Sequence, residues 1–275
     1  MGTPQAAVTP LEALVTAGHD VALVVTRPDK RRGRGGDVAP SPVKAAALAL
    51  GLPVAHDVDQ VLGVGGELGV VVAFGRIIKP HVLDALPMVN LHFSLLPRWR
   101  GAAPVERAVL AGDAETGVCL MAVEEGLDTG GVYRRQHLSI GADETAAELR
   151  ERLVDAGTAM VLDALAAGLG PAVAQQGEAT YAAKLETADL RLDWSRPADE
   201  LERVVRVGGA WTTLSGRRLK VHRACAHRVT GRGVVVPTGT GPMELLEVQP
   251  EGKSKMAAAD WVRGAGFGAG DALGS

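Results

Sequence analysis

The stretch "MVNLHFSLLPRWRG", residues 88–101, begins as a buried strand and then turns sharply at Leu-Leu-Pro. Successive side chains of a strand point to opposite faces, so Asn90 and His92 share one face, about 6.5–7 Å apart along the strand. The strand is predicted to end near Ser94. In an open α/β sheet, ligands bind outside the carboxyl ends of the strands. An amide and an imidazole at this position therefore mark a candidate functional site.

Runs that favour strands alternate with runs that favour helices on both sides of this stretch. Strands are predicted at 20–26, 69–75 and 116–123, and helices are predicted to start at Pro10, after Ser41 and after Thr145. Such alternation is typical of βαβ units. It predicts an α/β fold with a doubly wound, mostly parallel, Rossmann-like sheet. A sheet of this kind normally opens with a strand, whereas this chain begins directly at "MGTP", so we expect the first strand to be missing.

The pattern changes near residue 170. Residues 1–171 are predicted to form one domain and 172–190 a linker without sustained periodicity. Residues 191–275 follow with short strands joined by tight turns, one of them at Ser215-Gly216. Short strands with tight turns predict a small β-barrel domain of the OB-like kind.

Composition excludes several classes of protein. The chain has 275 residues, 47% of them hydrophobic, and a formal net charge of −3, which argues against a uniformly basic nucleic-acid binder. Its two cysteines are far apart and form no CxxC motif, so we expect neither a disulfide framework nor a metal site. No apolar run is long enough to span a membrane and no signal peptide is visible. A monomeric cytoplasmic protein is expected.

The residue types in the opening stretch suit an acyl transfer. The His92 imidazole can exchange a proton near neutral pH, and the Asn90 amide can stabilise an oxygen that becomes negatively charged. Asp128, in the glycine-rich segment "EEGLDTGG", is the candidate carboxylate that would orient His92. On spacing alone, a structural polar histidine and an ordinary Asp-Thr-Gly turn are the commoner explanations.

The segments "NLHFSLLPRWRGAAP" and "EEGLDTGG" closely resemble the folate-dependent formyltransferases, and the resemblance covers nearly the whole chain, including "TYAAKL" at 180–185. It implies that the N-terminal domain is catalytic, that 10-formyltetrahydrofolate is the formyl donor and that no metal is required. It assigns general base catalysis to His92, oxyanion stabilisation to Asn90 and orientation of His92 to Asp128. The residues implied to line the folate pocket are Ser94, Leu95, Leu96 and Pro97.

Two basic segments point to one branch of that family, in which the acceptor is the α-amino group of methionyl initiator tRNA. The loop "RPDKRRGRGG" resembles a family loop that contacts the tRNA acceptor stem, and its cations are Arg27, Lys30, Arg31, Arg32 and Arg34. The C-terminal domain adds a span, 203–232, with eight Lys or Arg and no acidic residue, in which Arg217, Arg218 and Lys220 are candidate phosphate contacts. A solvated surface loop is the ordinary alternative for such a charge run.

Three other functions stay open at this point. Related enzymes formylate glycinamide ribonucleotide or an amino sugar nucleotide, and neither readily explains the arginine-rich loop together with a basic C-terminal domain. A third alternative is a tRNA-binding protein that has lost catalysis because its first strand is missing.

Overall fold

The structure is a computed structural model that describes residues 1–32, 37–226, 229–265 and 273–274. The chain forms two compact units. The first unit comprises Met1–Val105, Glu115–Ser139 and Arg150–Ala183, and the second comprises Glu106–Ala114, Ile140–Leu149 and Lys184–Ser275. The domain boundaries drawn from the sequence, 1–171, 172–190 and 191–275, stay predictions.

Helices and strands alternate through the first unit, whereas strands dominate the second. The α-helices of the described residues are α1 (Val8–Thr16), α2 (Pro42–Ala49), α3 (Pro80–Ala85), α4 (Pro104–Ala111), α5 (Ala146–Ala167), α6 (Ala198–Val207) and α7 (Ala258–Ala265). The strands of the same residues are β1 (Val24–Val25), β2 (Lys30–Arg32), β3 (Asp37–Ala39), β4 (Val54–Ala55), β5 (Gly69–Val72), β6 (Met88–His92), β7 (Arg100–Gly101), β8 (Glu115–Ala122), β9 (Val132–Ser139), β10 (Tyr181–Ala182), β11 (Trp211–Leu214), β12 (Arg217–Cys225), β13 (Val234–Thr238), β14 (Gly241–Pro250) and β15 (Met256–Ala257).

The first unit is built on a four-stranded sheet with the order β5-β6-β8-β9. Strands β5 and β6 are parallel, with Val71 opposite Asn90, and a separate parallel pair is formed by β1 and β4. Strand β8 is antiparallel to β6, and β9 is antiparallel to β8. A short glycine-rich connection joins β8 to β9 directly, without a crossover helix, as antiparallel neighbours allow. The predicted α/β Rossmann-like class is confirmed. The four-stranded sheet is mixed, with one parallel and two antiparallel pairings, where a mostly parallel sheet was predicted.

The chain start lies between β1 and β5. The Gly2 N–H donates to Val25 O at 3.1 Å, and the Val72 N–H donates to Met1 O at 2.9 Å, so these two residues bridge the strands. Beside them is a cavity of about 520 Å³ whose walls come mainly from residues 19–25 and 64–70. The predicted strand at 20–26 is wrong for most of its length, because residues 20–23 line this cavity instead of pairing with a neighbouring strand.

The second unit is a curled antiparallel sheet with the order β11-β12-β14-β13, and β15 pairs with β14. Register shifts in β12 between Val221 and Ala224 bend the sheet, as bulges do. Helices α6 and α7 cover its apolar face through Leu201 and Trp261, which are buried in the same core as Leu245. The small β-barrel predicted for this part of the chain is confirmed in the form of a half-barrel.

One buried carboxylate, Glu244, organises a loop of this sheet. It is fully buried and accepts hydrogen bonds from the backbone N–H groups of Thr230 and Gly233. Burial tends to raise the pKa of the Glu244 carboxyl, but these hydrogen bonds outweigh burial and hold the pKa below its ordinary value of 4.5.

Local sequence signals for helix starts were mostly reliable. Ser41 caps α2 by accepting from Lys44 N at 3.0 Å, and Thr145 and Glu148 form the expected capping box. The prediction that the first helix starts at Pro10 was wrong, because α1 follows a 3₁₀ turn and begins at Val8. No helix of the described residues has the length and hydropathy needed to cross a membrane.

Candidate active site

His92, the last residue of β6, is held in one orientation by the turn that follows it. Its side chain is only 5% exposed, and its Nε2 lies 2.9 Å from the backbone carbonyl oxygen of Trp99. Because a carbonyl only accepts hydrogen bonds, this contact requires a proton on Nε2. Asn90 is half-buried two residues earlier on the same strand, as the alternation predicted.

The fold brings Asp128 to the other side of the imidazole. Asp128 Oδ2 lies 3.6 Å from His92 Nδ1, and the same oxygen accepts a hydrogen bond from Gly101 N at 2.8 Å. Asp128 has a φ of 51°, in the left-handed region that residues with a side chain rarely occupy. Such backbone strain persists only where the surroundings hold it, and it is common at functional sites.

These contacts determine which nitrogen of His92 is free to accept a proton. With the hydrogen on Nε2, Nδ1 is the basic nitrogen of the neutral ring. A proton taken up at Nδ1 produces a positive imidazolium beside the Asp128 carboxylate, and an opposite charge at this distance stabilises it. The arrangement therefore has the parts of a general base with a supporting carboxylate.

The turn after β6 is closed by hydrogen bonds and packing. Ser94 is buried, and its hydroxyl donates to Arg98 O at 2.5 Å. Leu96 is buried in a small cluster with Cys119, while Leu95 and Pro97 are half-buried. Gly117 on β8 is required beneath this turn, because a Cβ there would collide with the backbone oxygen of Gln136 and with the Leu95 side chain.

The same turn is clamped by residues for which the sequence reasoning had no role. The Arg100 N–H donates to Thr180 O at 2.8 Å, the Trp99 N–H donates to Thr180 Oγ1 at 2.9 Å, and β7 pairs with β10. The only sequence signal for this clamp was the family motif "TYAAKL" at 180–185, and no catalytic or binding role was predicted for any residue in it. Part of the segment predicted as a linker, 172–190, thus supports the site.

The basic residues of the two predicted tRNA-contacting segments differ in their surroundings. The Arg27 guanidinium donates to Gly75 O at 2.7 Å, while Lys30 is exposed on β2. Arg31 and Arg32 continue β2 opposite β3, and Arg34 lies outside the described residues.

In the second unit, Arg217 and Lys220 are exposed on β12. Arg218 stacks over the Trp211 ring at 4.1 Å from the ring centre, and this contact orients its guanidinium. Among the described residues, no cluster of three or more His, Cys, Asp or Glu could hold a metal ion.

Comparison with known families adds to this geometry. The formyl transferase model matches residues 1–165, and the formyl transferase C-terminal domain model matches residues 184–266. The chain belongs to the formyl transferase family. A relative in that family, the methionyl-tRNA formyltransferase of Roseobacter denitrificans, is 45% identical over an alignment of 287 positions that covers 96% of this chain and 94% of the relative. The resemblance stated from the motifs is confirmed.

Solved structures of formyl transferases share the fold. WlaRD, a sugar 3N-formyl transferase crystallised in the presence of dTDP and 5-N-formyl-THF, superposes with a TM-score of 0.69 and 17% identity over 92% of this chain and 97% of its own. The methionyl-tRNA formyltransferase from Clostridium thermocellum gives a TM-score of 0.57 and 18% identity over 71% of this chain and 86% of its own. At these identities the likeness concerns the fold alone.

Proposed function

We propose that this protein transfers a formyl group from 10-formyltetrahydrofolate to the α-amino group of methionyl initiator tRNA. The observation that carries the proposal is the imidazole of His92 held between the Trp99 carbonyl and the Asp128 carboxylate. The full-length relatives that are named methionyl-tRNA formyltransferases support the choice of acceptor.

The proposed reaction needs a group that transfers a proton, a group that stabilises the resulting positive charge and a group that stabilises the oxyanion. The donor supplies a formyl group on a nitrogen that leaves as tetrahydrofolate. His92 Nδ1 accepts a proton from the attacking amine and returns it to the leaving nitrogen, while Asp128 stabilises the imidazolium in between. The Asn90 amide donates to the formyl oxygen as negative charge develops there.

The site residues suit this donor. In the part of the chain that the structure describes, no hydrogen bond engages the Asn90 side-chain amide, so its N–H groups are available to a formyl oxygen. We propose that Ser94, Leu95, Leu96 and Pro97 form the wall of the folate pocket, with Ser94 and Leu96 acting through the backbone because their side chains are buried.

The tRNA acceptor requires cationic surface. We propose that Lys30, Arg31, Arg32 and Arg34 contact the acceptor stem, and that Arg217, Arg218 and Lys220 contact phosphates. Arg27 contributes by tying the base of its loop to Gly75.

A comparison of acceptors tests the proposed function directly. The protein is incubated with 10-formyltetrahydrofolate and, separately, with charged initiator tRNA, glycinamide ribonucleotide and an amino sugar nucleotide. We expect turnover with charged tRNA and at most background rates with the small amines. Preferred use of a small amine would replace the proposed acceptor, and tRNA binding without turnover would identify a non-catalytic binding protein.

A further inference from the structure

A closed set of hydrogen bonds joins Asp128 to the turn after β6 through two side chains. Arg100 donates from Nε and Nη2 to Gln175 Oε1 at 3.1 and 2.7 Å. Gln175 in turn donates from Nε2 to the backbone carbonyls of Asp128 and Gly130 at 2.8 and 2.9 Å. All the residues of this set belong to the first unit.

The primary amide of Gln175 is used to its full capacity. Its oxygen accepts two hydrogen bonds and its nitrogen donates two, which is all that such a group can make. An aspartate or glutamate at this position could accept from the guanidinium but could not donate to the two carbonyls. The geometry thus requires an amide specifically.

Three consecutive residues, 99–101, hold the His92 ring, the Asp128 backbone and the Asp128 carboxylate. The Trp99 carbonyl orients the His92 ring, and the Gly101 N–H binds the Asp128 carboxylate. The side chain of Arg100, between them, reaches the Asp128 backbone through Gln175. The left-handed backbone of Asp128 is therefore held at both its carbonyl and its carboxylate.

We propose that Gln175, anchored by Arg100, is a positioning residue that holds Asp128 against His92. The kinetic test of this proposal rests on the proposed function, because it measures formyl transfer. The segment carrying Gln175 is independently attached to the first unit, because Val173 and Val132 exchange backbone hydrogen bonds of 2.9 and 2.8 Å. Removing the Gln175 side chain should therefore leave the segment in place.

The kinetic test compares Gln175→Ala with Gln176→Ala, which removes the same group from the exposed neighbouring residue. Residues that orient the ligands of a catalytic metal change activity by about 10- to 100-fold when they are lost, and we expect a similar loss for a residue that orients a catalytic carboxylate. We expect this loss in kcat for Gln175→Ala, with KM and Tm nearly unchanged, and no loss for Gln176→Ala. Gln175→Glu should be as impaired as Gln175→Ala, since it faces two carbonyl oxygens without a donor.

A double-mutant cycle shows whether Gln175 acts through Asp128. In an Asp128→Asn background, Gln175→Ala should cause little further loss of kcat, because the charge that it positions is gone. The same fold loss in both backgrounds, or a loss confined to KM, would overturn the proposal. If Gln175→Ala proves poorly folded by its Tm, Arg100→Lys replaces it in the cycle, since it leaves Gln175 in place but removes the two-point anchor.

A second readout does not depend on the acceptor. The ¹⁵N resonance of His92 Nδ1, assigned with a His92→Gln variant, reports the distance to the Asp128 carboxylate. We expect it to move in Gln175→Ala and to stay in place in Gln176→Ala; an unmoved resonance would overturn the positioning role. A parent protein that is inactive with every acceptor refutes the proposed function, while this resonance still decides the role of Gln175.

Discussion

Replacing Asp128 by Asn isolates the charge that Asp128 presents to His92. Asparagine has nearly the same size, and its side-chain oxygen can still accept from the Gly101 N–H, so the substitution removes charge with little change in packing. At the observed separation of 3.6 Å, two unit charges attract by roughly 4–5 kcal/mol with an effective dielectric constant of about 20. That dielectric constant suits a pair whose side chains are 5% and 16% exposed.

Part of this attraction survives the substitution, because the amide oxygen still presents a dipole to the imidazolium. We therefore expect the barrier to rise by about 3–4 kcal/mol, which corresponds to a loss of roughly 10² to 10³ in kcat. KM should hardly change, because the charge matters only once His92 has taken a proton. Tm should also hardly change, since the asparagine oxygen keeps the hydrogen bond from the Gly101 N–H.

The assay is steady-state formylation of charged initiator tRNA, with thermal unfolding measured on the same preparations. Asp84→Asn, at an exposed position on α3, is the matched control and should behave as the parent. A loss of less than about tenfold for Asp128→Asn, in a protein that is normally folded, would show that the carboxylate does not support the charge on His92.

Five further outcomes are expected. His92→Ala should lower kcat by about 10² to 10⁴ while leaving tRNA binding measured by filter retention unchanged, and Asn90→Ala should lower kcat by about 10² or more. An apolar, β-branched strand joined ahead of Met1 should fill the neighbouring cavity and raise both Tm and activity, and an extended protein that melts no higher would contradict the account of that cavity. Arg34→Ala should lower kcat/KM for charged tRNA. The parent value of kcat/KM should fall steeply with salt, because phosphate contacts release counterions. If kcat/KM is equal for the two proteins and does not change with salt, the loop is ordinary solvated surface. The pKa of Glu244 in the folded state lies below its ordinary value of 4.5. Its carboxylate therefore stabilises the fold fully above about pH 4.5, and this contribution is lost as the pH falls further. The Tm difference between the parent and Glu244→Gln should shrink on acidification.

Features that depend on neighbouring residues could be predicted from the sequence. The alternation on β6 places Asn90 and His92 on one face, and the capping residues mark the starts of α2 and α5. The turn at Ser215-Gly216 is likewise visible, because Gly216 adopts a positive φ that only glycine tolerates easily. Each of these signals arises within a few residues of the chain.

The errors have an equally physical origin. The strand predicted at 20–26 is mostly apolar and rich in β-branched residues, yet only Val24–Val25 pairs. A strand needs a partner that the sequence of the strand itself does not contain. The reversal between β8 and β9 is also a property of pairing, because glycine-rich connections are compatible with several return paths.

The sequence by itself determined the chemical groups of the site and the family to which the chain belongs. Only the tertiary structure decided how those groups are held. The residues that hold them, Gln175 and Thr180, lie far from His92 along the chain, in a segment that has no helical or strand periodicity of its own. Hydrogen bonds between such distant segments form only once the sheet has brought their backbones together, so their partners follow from the fold and from no local pattern of residues.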